Sequence, residues 1–276
     1  MKVAFIGLGR MGTAQAHLAR QFGDDILFAV DTNESVRARF EAEFHVIIAS
    51  SPDDTSILPQ YAQVDLLWLT VTDAQIRPVA QQIAPLLAPQ TVILHTSGAF
   101  SSEMISCVLP GHACGAFHPL LPCPLPGCSD AQCLAHYRHA MHTFDGCDKA
   151  LLAAQMLARR LDSSLASILP GQKSLYHAAA VFASNYPVTL ADIACHAFEK
   201  CGFSHEMALS AARRLLLQAA QSVQAAEPVD ALTGPVKRGD TQTIERHREA
   251  LAQTPEWLDL YNILCESTKN MVEGSR

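Results

Sequence analysis

The chain has 276 residues, 49% of them hydrophobic and 17% charged, a mixture that describes a globular protein with a large core and excludes a disordered one. Its formal net charge of -7 argues against nucleic acid as the main partner. No apolar run approaches the roughly 20 residues of a membrane span, and the apolar N-terminal stretch is too short for a signal peptide, so a cytoplasmic protein of two domains is expected.

Residues 3–6, Val-Ala-Phe-Ile, read as a short buried strand. Gly7, Gly9 and Gly12 follow in the pattern G-x-G-x-x-G, and residues 14–22 then take helical spacing. Strand, glycine turn and helix in this order make the first half of a dinucleotide-binding unit. Each glycine has its reason. Gly7 permits the tight turn, Gly9 lets a pyrophosphate approach the backbone, and Gly12 lets helix and strand pack closely. Free N–H groups along Leu8, Arg10 and Met11 then face the anion at the helix start.

A second strand over residues 26–30 ends at Asp31, where an acid accepts from ribose hydroxyls and repels a 2′-phosphate. NAD(H) is therefore expected over NADP(H), with Arg37 and Arg39 as residues that reach toward a phosphate. Asn33-Glu34 opens a helix, so an N-cap role for the acid is the other reading. Strands are predicted over 44–49 and 64–71; the second ends in Thr70, Val71 and Thr72, candidates to line the cofactor cleft. Asp73 then reads as a cap for a helix over 74–87.

The strand at 91–94 runs into His95-Thr-Ser-Gly98, where Ser97 is the candidate substrate contact or simply part of a turn. The strand at 113–117 ends in His118, and the proline-rich run to Pro126 reads as a loop. Strand, helix and strand follow near 139–144, 149–161 and 164–169. From Gly171 helical periodicity takes over, with patterns at 172–185, 187–200, 204–226, 240–252 and 255–271; Pro187 kinks one long helix or starts a new one. The expected architecture is an α/β Rossmann domain, doubly wound and mainly parallel, over 1–168, then an all-α domain over 169–276.

Nine cysteines are present. Cys107, Cys114, Cys123, Cys128 and Cys133 lie among His112, His118, His136, His139 and His142, but the paired spacings of a zinc ribbon are missing, so reduced thiols and no metal are expected.

Lys173, Tyr176 and His177 share a helix face, with Asn185 two turns beyond His177. A lysine buried there has its pKa lowered and serves as a proton donor when hydride reaches a carbonyl or imine. The stretch Gly171-Gln-Lys-Ser-Leu-Tyr-His177 resembles the Gly-x-x-x-Lys-x-x-x-Asn helix motif of β-hydroxyacid and 6-phosphogluconate dehydrogenases. The resemblance implies that Lys173 is the acid/base group and that His177, where those families carry asparagine, orients substrate.

In layout the chain also resembles pyrroline-5-carboxylate reductase and ketopantoate reductase. Its most extensive resemblance is to a Rossmann-like family of NADP oxidoreductases whose C-terminal half is a domain of unknown function. That resemblance is carried by His95-Thr-Ser-Gly98, Gly115-Ala-Phe-His-Pro119, Lys173-Ser-Leu-Tyr-His177 with Ser184-Asn185, and Leu232-Thr-Gly-Pro-Val-Lys-Arg-Gly-Asp240. In the last stretch, Arg238 and the helix start beyond it suit a substrate carboxylate. Alternatively, Asp240 caps that helix and Arg238 pairs with an acid across a dimer interface.

The expectation is an NAD(P)-dependent reductase or dehydrogenase of a small keto or hydroxy acid or an imine. Nicotinamide would lie near Thr72, Ser97 and His118, facing Lys173 and His177. The alternative is a non-catalytic dinucleotide-binding sensor or interaction protein. Apolar residues on more than one helical face, such as Val181-Phe182 and Leu215-Leu216-Leu217, point to a homodimer.

Overall fold

A computed structural model describes residues 1–169 and 171–274. The strands are β1 Lys2–Ile6, β2 Asp25–Val30, β3 Ile47–Ala49, β4 Leu66–Leu69, β5 Val92–His95, β6 Ala113–Pro119, β7 Met141–Gly146 and β8 Ser164–Ser167. Between and after them run α1 Arg10–Gln21, α2 Glu34–Phe44, α3 Asp73–Ile83, α4 Glu103–Ser106, α5 Asp130–Tyr137, α6 Asp148–Arg160, α7 Lys173–Lys200, α8 His205–Ala225, α9 Pro228–Ala231, α10 Pro235–Arg238, α11 Thr241–Leu251 and α12 Pro255–Glu273.

The strands form one sheet in the order β3-β2-β1-β4-β5-β6-β7-β8. Every neighbouring pair is parallel except β6 with β7. This is the expected doubly wound Rossmann architecture, and helices cover both faces as parallel strands require. Alternation along the strands divides the core. Phe5, Trp68, Leu94 and Phe117 pack with Ala16 and Ala19 of α1 and with Ala150 and Ala154 of α6. Ala4, Leu67, Leu69 and Ile93 pack with Ile76, Ala80 and Ile83 of α3. Small alanines on α1 and α6 let those helices lie close to the sheet.

Several boundaries differ from the sequence reading. Two of the predicted strands contract to β3 and β4, so Thr70 and Val71 lie beyond their strand. The helical patterns on either side of Pro187 are one helix, α7, with the proline inside it. Helix α5 lies between the proline-rich run that ends at Pro126 and β7, where no element is predicted; Ser129 and Gln132 form a reciprocal capping box at its start. β7 pairs with β6 in the antiparallel sense, although the connection through α5 is long enough for a parallel crossover.

The chain divides into two compact units, Met1–Ser184 and Asn185–Arg276, later than the change of character near residue 168. The division falls inside α7 because that helix is continuous. In the second unit Cys195, Ala208 and Ala212 form a small core, while Leu190, Leu215, Leu217, Val223, Ile263 and Leu264 are exposed. Among the described residues no helix is long and apolar enough to cross a membrane.

Candidate functional site

The glycine turn links β1 to α1. Gly7 has φ +93°, a left-handed conformation that costs glycine nothing. A Cβ on Gly12 would stand 2.0 Å from the Gly7 carbonyl oxygen, so helix and turn touch there. A Cβ on Gly9 would meet nothing within 4 Å. Gly9 therefore borders open space at the N-terminus of α1, the cradle that a pyrophosphate needs.

Three neighbours hold the turn in shape. The Asp31 carboxylate accepts from Leu8 N at 2.7 Å and from Asn33 N at 2.8 Å. The Thr70 hydroxyl donates to the Gly7 carbonyl at 2.6 Å. Thr13 Oγ1 donates to the Leu8 carbonyl at 3.0 Å. The capping role at α2 belongs to Asn33, whose side chain accepts from Ser35 N and Val36 N. At α3 the capping position is Thr72, with Asp73 in the first turn and no side-chain cap bond. Arg10 turns away from the turn and donates to the carbonyls of Cys123 and Pro124. Arg37 donates to the carbonyls of Asp31 and Thr32, each at 2.8 Å.

Sheet register aligns Leu69, His95, Ala116 and Asp145 in one row across β4, β5, β6 and β7. The segment that leaves β5 folds around three buried polar groups there. Lys173, at the start of α7, donates to the Ser97 carbonyl at 2.9 Å, and its ammonium lies 3.2 Å from Asp145 Oδ2. Both side chains are almost fully buried, at 3% and 5% exposure. Burial lowers the lysine pKa and the Asp145 carboxylate opposes that shift. Asp145 Oδ1 accepts from Ser102 N at 2.6 Å. His95 Nδ1 accepts from Ser97 N at 3.2 Å, so Nε2 carries the ring proton toward the Ser101 carbonyl at 3.1 Å. Burial and the Lys173 charge push the His95 pKa down to about 4, and the ring is neutral. The Ser97 hydroxyl accepts from Ala99 N at 3.2 Å and Phe100 N at 3.1 Å, the turn role that was the plainer reading of this residue.

One turn along α7, Tyr176 Oη lies 2.7 Å from His118 Nδ1, and Thr143 Oγ1 donates to Tyr176 Oη at 3.1 Å. The rings of His118 and His177 are 6.0 Å apart and nearly perpendicular. Both meet at Gly98, whose missing Cβ would be 2.5 Å from His177 Nδ1 and 2.8 Å from His118 Nε2. His177 Nδ1 is buried and has no hydrogen-bond partner among the described residues. Burial, then the Lys173 charge, push the His118 pKa down to about 4.

Ser97, His118, Lys173 and His177 thus come together in the first unit. Asn185 and Arg238 belong to the second. Arg238 ends α10, and Asp240 caps α11 by accepting from Thr243 N at 3.0 Å. Asp145, Thr143 and Gly98 are the residues that the sequence reading missed or left in support. The available signals were an acid next to Gly146 at the end of a predicted strand and a glycine after Ser97.

His142 is a further buried histidine, stacked on Phe117, and neither ring nitrogen has a hydrogen-bond partner among the described residues. Its pKa is pushed down to about 4 by burial, like those of His95 and His118. Unfolded, each would take up a proton near pH 6.5. Folded, each does so only near pH 4, so the unfolded state binds more protons between these values. Stability therefore rises with pH across that window and is lost as pH falls from about 6.5 toward 4, by on the order of 3 kcal/mol for His142 alone at the acid end. The melting temperature should fall steeply between pH 6.5 and 4.5. His142→Phe, which keeps the ring stack, should flatten that fall. Parallel curves for the two proteins would show that His142 is not buried neutral.

A parallel sheet with a glycine turn at its first crossover, an acid ending β2 and open space at the α1 N-terminus define a Rossmann-type dinucleotide-binding protein. Residues 2–107 match the NAD binding domain of 6-phosphogluconate dehydrogenase, and residues 140–268 match a domain of unknown function, DUF2520. The chain joins these two domains, as the resemblance implied. A glycerol-3-phosphate dehydrogenase of Bradyrhizobium sp. strain ORS 278 is 29% identical over an alignment of 120 residues that covers 39% of this chain and 37% of that protein. The chain thus spans little more than a third of that curated relative.

Among solved structures, an NADP oxidoreductase, so described, from Bacteroides fragilis superposes with a TM-score of 0.77 at 20% identity, covering 98% of each chain. A Thermotoga maritima protein does so at 0.72 and 22%, covering 99% of each. The 1-pyrroline-5-carboxylate reductase of Streptococcus pyogenes gives 0.65 and 18%, with 98% of each covered. At these identities the likeness shows the fold alone.

Proposed function

We propose that the chain is an NAD(P)-dependent oxidoreductase acting on the carbonyl or imine of a small organic acid, or on the corresponding alcohol or amine. The observation that carries this reading is the pairing of an open glycine turn with the imidazoles of His118 and His177 meeting at Gly98, all within the first compact unit. The backbone from Gly7 through Leu8, Gly9, Arg10, Met11 and Gly12 would hold the pyrophosphate. Asp31 would take the ribose hydroxyls, and Thr70, Val71 and Thr72 would border the nicotinamide. When bound, a dihydronicotinamide supplies the hydride. The protein must then deliver one proton to the substrate oxygen or nitrogen. His118 and His177 are assigned that proton. Lys173, paired with Asp145, holds the Ser97 carbonyl and contributes its charge. Steady NAD(P)H oxidation against a panel of keto acids and imines tests the reading. Tight dinucleotide binding without turnover on any of them would favour the sensor instead.

The finer assignments follow the same reading. NAD(H) should bind more tightly than NADP(H), because a 2′-phosphate would meet the Asp31 carboxylate while Arg37 is engaged by two carbonyls. Tighter binding of NADP(H) in calorimetry would overturn this. Asn185 and Arg238 are proposed to hold the substrate carboxylate, and the second unit, with its exposed leucines, to pair with a second copy. A domain division close to 168 remains the proposal for where the Rossmann fold proper ends. Nine unbridged cysteines and an acidic charge support a cytoplasmic setting.

A further inference from the structure

The hydroxyl protons around His118 can be counted. Thr143 Oγ1 has one proton and two acceptors in reach, Tyr176 Oη at 3.1 Å and the His118 carbonyl at 3.4 Å. Tyr176 Oη has one proton, and its other partner among the described residues is His118 Nδ1 at 2.7 Å. If His118 Nδ1 carried the ring proton and donated to Tyr176, the tyrosine would have to donate to Thr143 Oγ1, and Thr143 to the His118 carbonyl at 3.4 Å. That last contact is longer than a normal O–H···O bond, so the arrangement leaves the threonine proton poorly satisfied. The opposite arrangement needs only the contacts at 3.1 Å and 2.7 Å. Thr143 donates to Tyr176, and Tyr176 donates to His118 Nδ1.

We propose that Tyr176, supported by Thr143, is the positioning residue that fixes His118 as its Nε2–H tautomer, so that His118 presents a hydrogen-bond donor at Gly98. The donor faces the point where the Cβ of any other residue at position 98 would stand, 2.8 Å from Nε2. His177 Nδ1, buried and without a partner among the described residues, faces the same point at 2.5 Å. One substrate heteroatom bound beside Gly98 then accepts from His118 and exchanges its proton with His177. This rests on the reductase reading for its catalytic consequence, but the tautomer is a property of the protein alone.

The charged and titratable groups around His118 are Lys173, His177, His142 and His95, with Tyr176 in direct contact. Burial and the Lys173 charge keep the ring neutral near pH 7, so its two tautomers can be told apart there. Nitrogen NMR on the histidine-labelled, full-length protein at pH 7 reads that tautomer directly. Wild type should show His118 with Nδ1 bare and Nε2 protonated. Tyr176→Phe keeps the perpendicular ring contact, 5.6 Å between centroids, and removes only the hydroxyl. It should give a mixture of tautomers, with kcat reduced by roughly 10-fold or more and dinucleotide affinity unchanged. Thr143→Val, isosteric in β7, should produce a smaller change in the same direction and serves if Tyr176→Phe folds poorly.

A protonated Nδ1 on His118 in wild type would overturn the proposal. So would a Tyr176→Phe protein with an unaltered tautomer or with wild-type kcat. If wild type carries the stated tautomer and the two variants shift it, yet no carbonyl or imine is turned over, then the reductase reading fails and the positioning role stands.

Discussion

Lys173→Met is expected to lower stability sharply before it says anything about catalysis. The ammonium and the Asp145 carboxylate are 3.2 Å apart and both almost wholly buried. Removing one partner leaves the other charge uncompensated inside the protein, which typically costs about 3–5 kcal/mol. Against a net stability of about 5–15 kcal/mol, that is a large share. The loss also frees the Ser97 carbonyl and loosens the segment that Ser102 N and Asp145 hold together at 2.6 Å. Methionine keeps the length and helix propensity of lysine, but it does not keep the pair.

Asp145→Asn in the same chain removes the orphaned charge, so the double variant should regain most of the lost melting temperature. Its turnover then decides the role of the lysine. If Lys173 donates the proton, kcat/KM should stay down by about 10²-fold or more in the refolded double variant. If His118 and His177 carry the proton, activity should return with stability. His177→Asn is the companion test: asparagine orients a substrate but does not exchange a proton, so a loss of about 10²-fold or more with one limb of the pH profile gone would mark His177 as the acid.

The second large effect separates the glycines. Gly9→Val should leave the fold intact and remove dinucleotide binding. Gly9 has φ -64° and ψ -166°, open to any residue, and nothing stands within 4 Å of a Cβ there. The added side chain would fill only the space that a pyrophosphate needs, and a loss of affinity of roughly 10²-fold or more, about 2.7 kcal/mol, is expected. Gly12→Ala should do the reverse. Its Cβ would lie 2.0 Å from a backbone oxygen and 2.7 Å from Thr70 Oγ1, which cannot both withdraw. The cost of such overpacking, about 1–3 kcal/mol or more, falls on the fold itself. Melting temperature and calorimetric affinity, measured on both variants, should move in opposite combinations. A Gly9→Val protein with unchanged cofactor affinity would remove the glycine turn from binding.

Much of this was legible in residue order. Local patterns at Val3–Gly12, the strand ending at Asp31 and the apolar run through Leu66–Leu69 determine a Rossmann unit, because each depends on near neighbours: a period, a turn residue, an acid at a strand end. The run after Gly171 determined a helical second part for the same reason. The sequence alone also singled out Ser97, His118, Lys173 and His177.

What it did not determine is what those side chains touch. Asp145 is 28 residues from Lys173 and one strand over from His118's own, and only the antiparallel return of β7 puts it beside the lysine. The Ser129–Gln132 capping box that opens α5 is a local signal, but nothing in it says in which direction β7 will pair. Lys173 was legible as a buried lysine, but its partner, and hence the choice between proton donor and half of an ion pair, was set by tertiary structure. The same holds for Gly98, whose missing Cβ matters only because β6 and α7 bring His118 and His177 to it. Spacing along the chain fixes the elements. The contacts between strands far apart in sequence decide the charge state, the tautomer and the free space of the groups they carry.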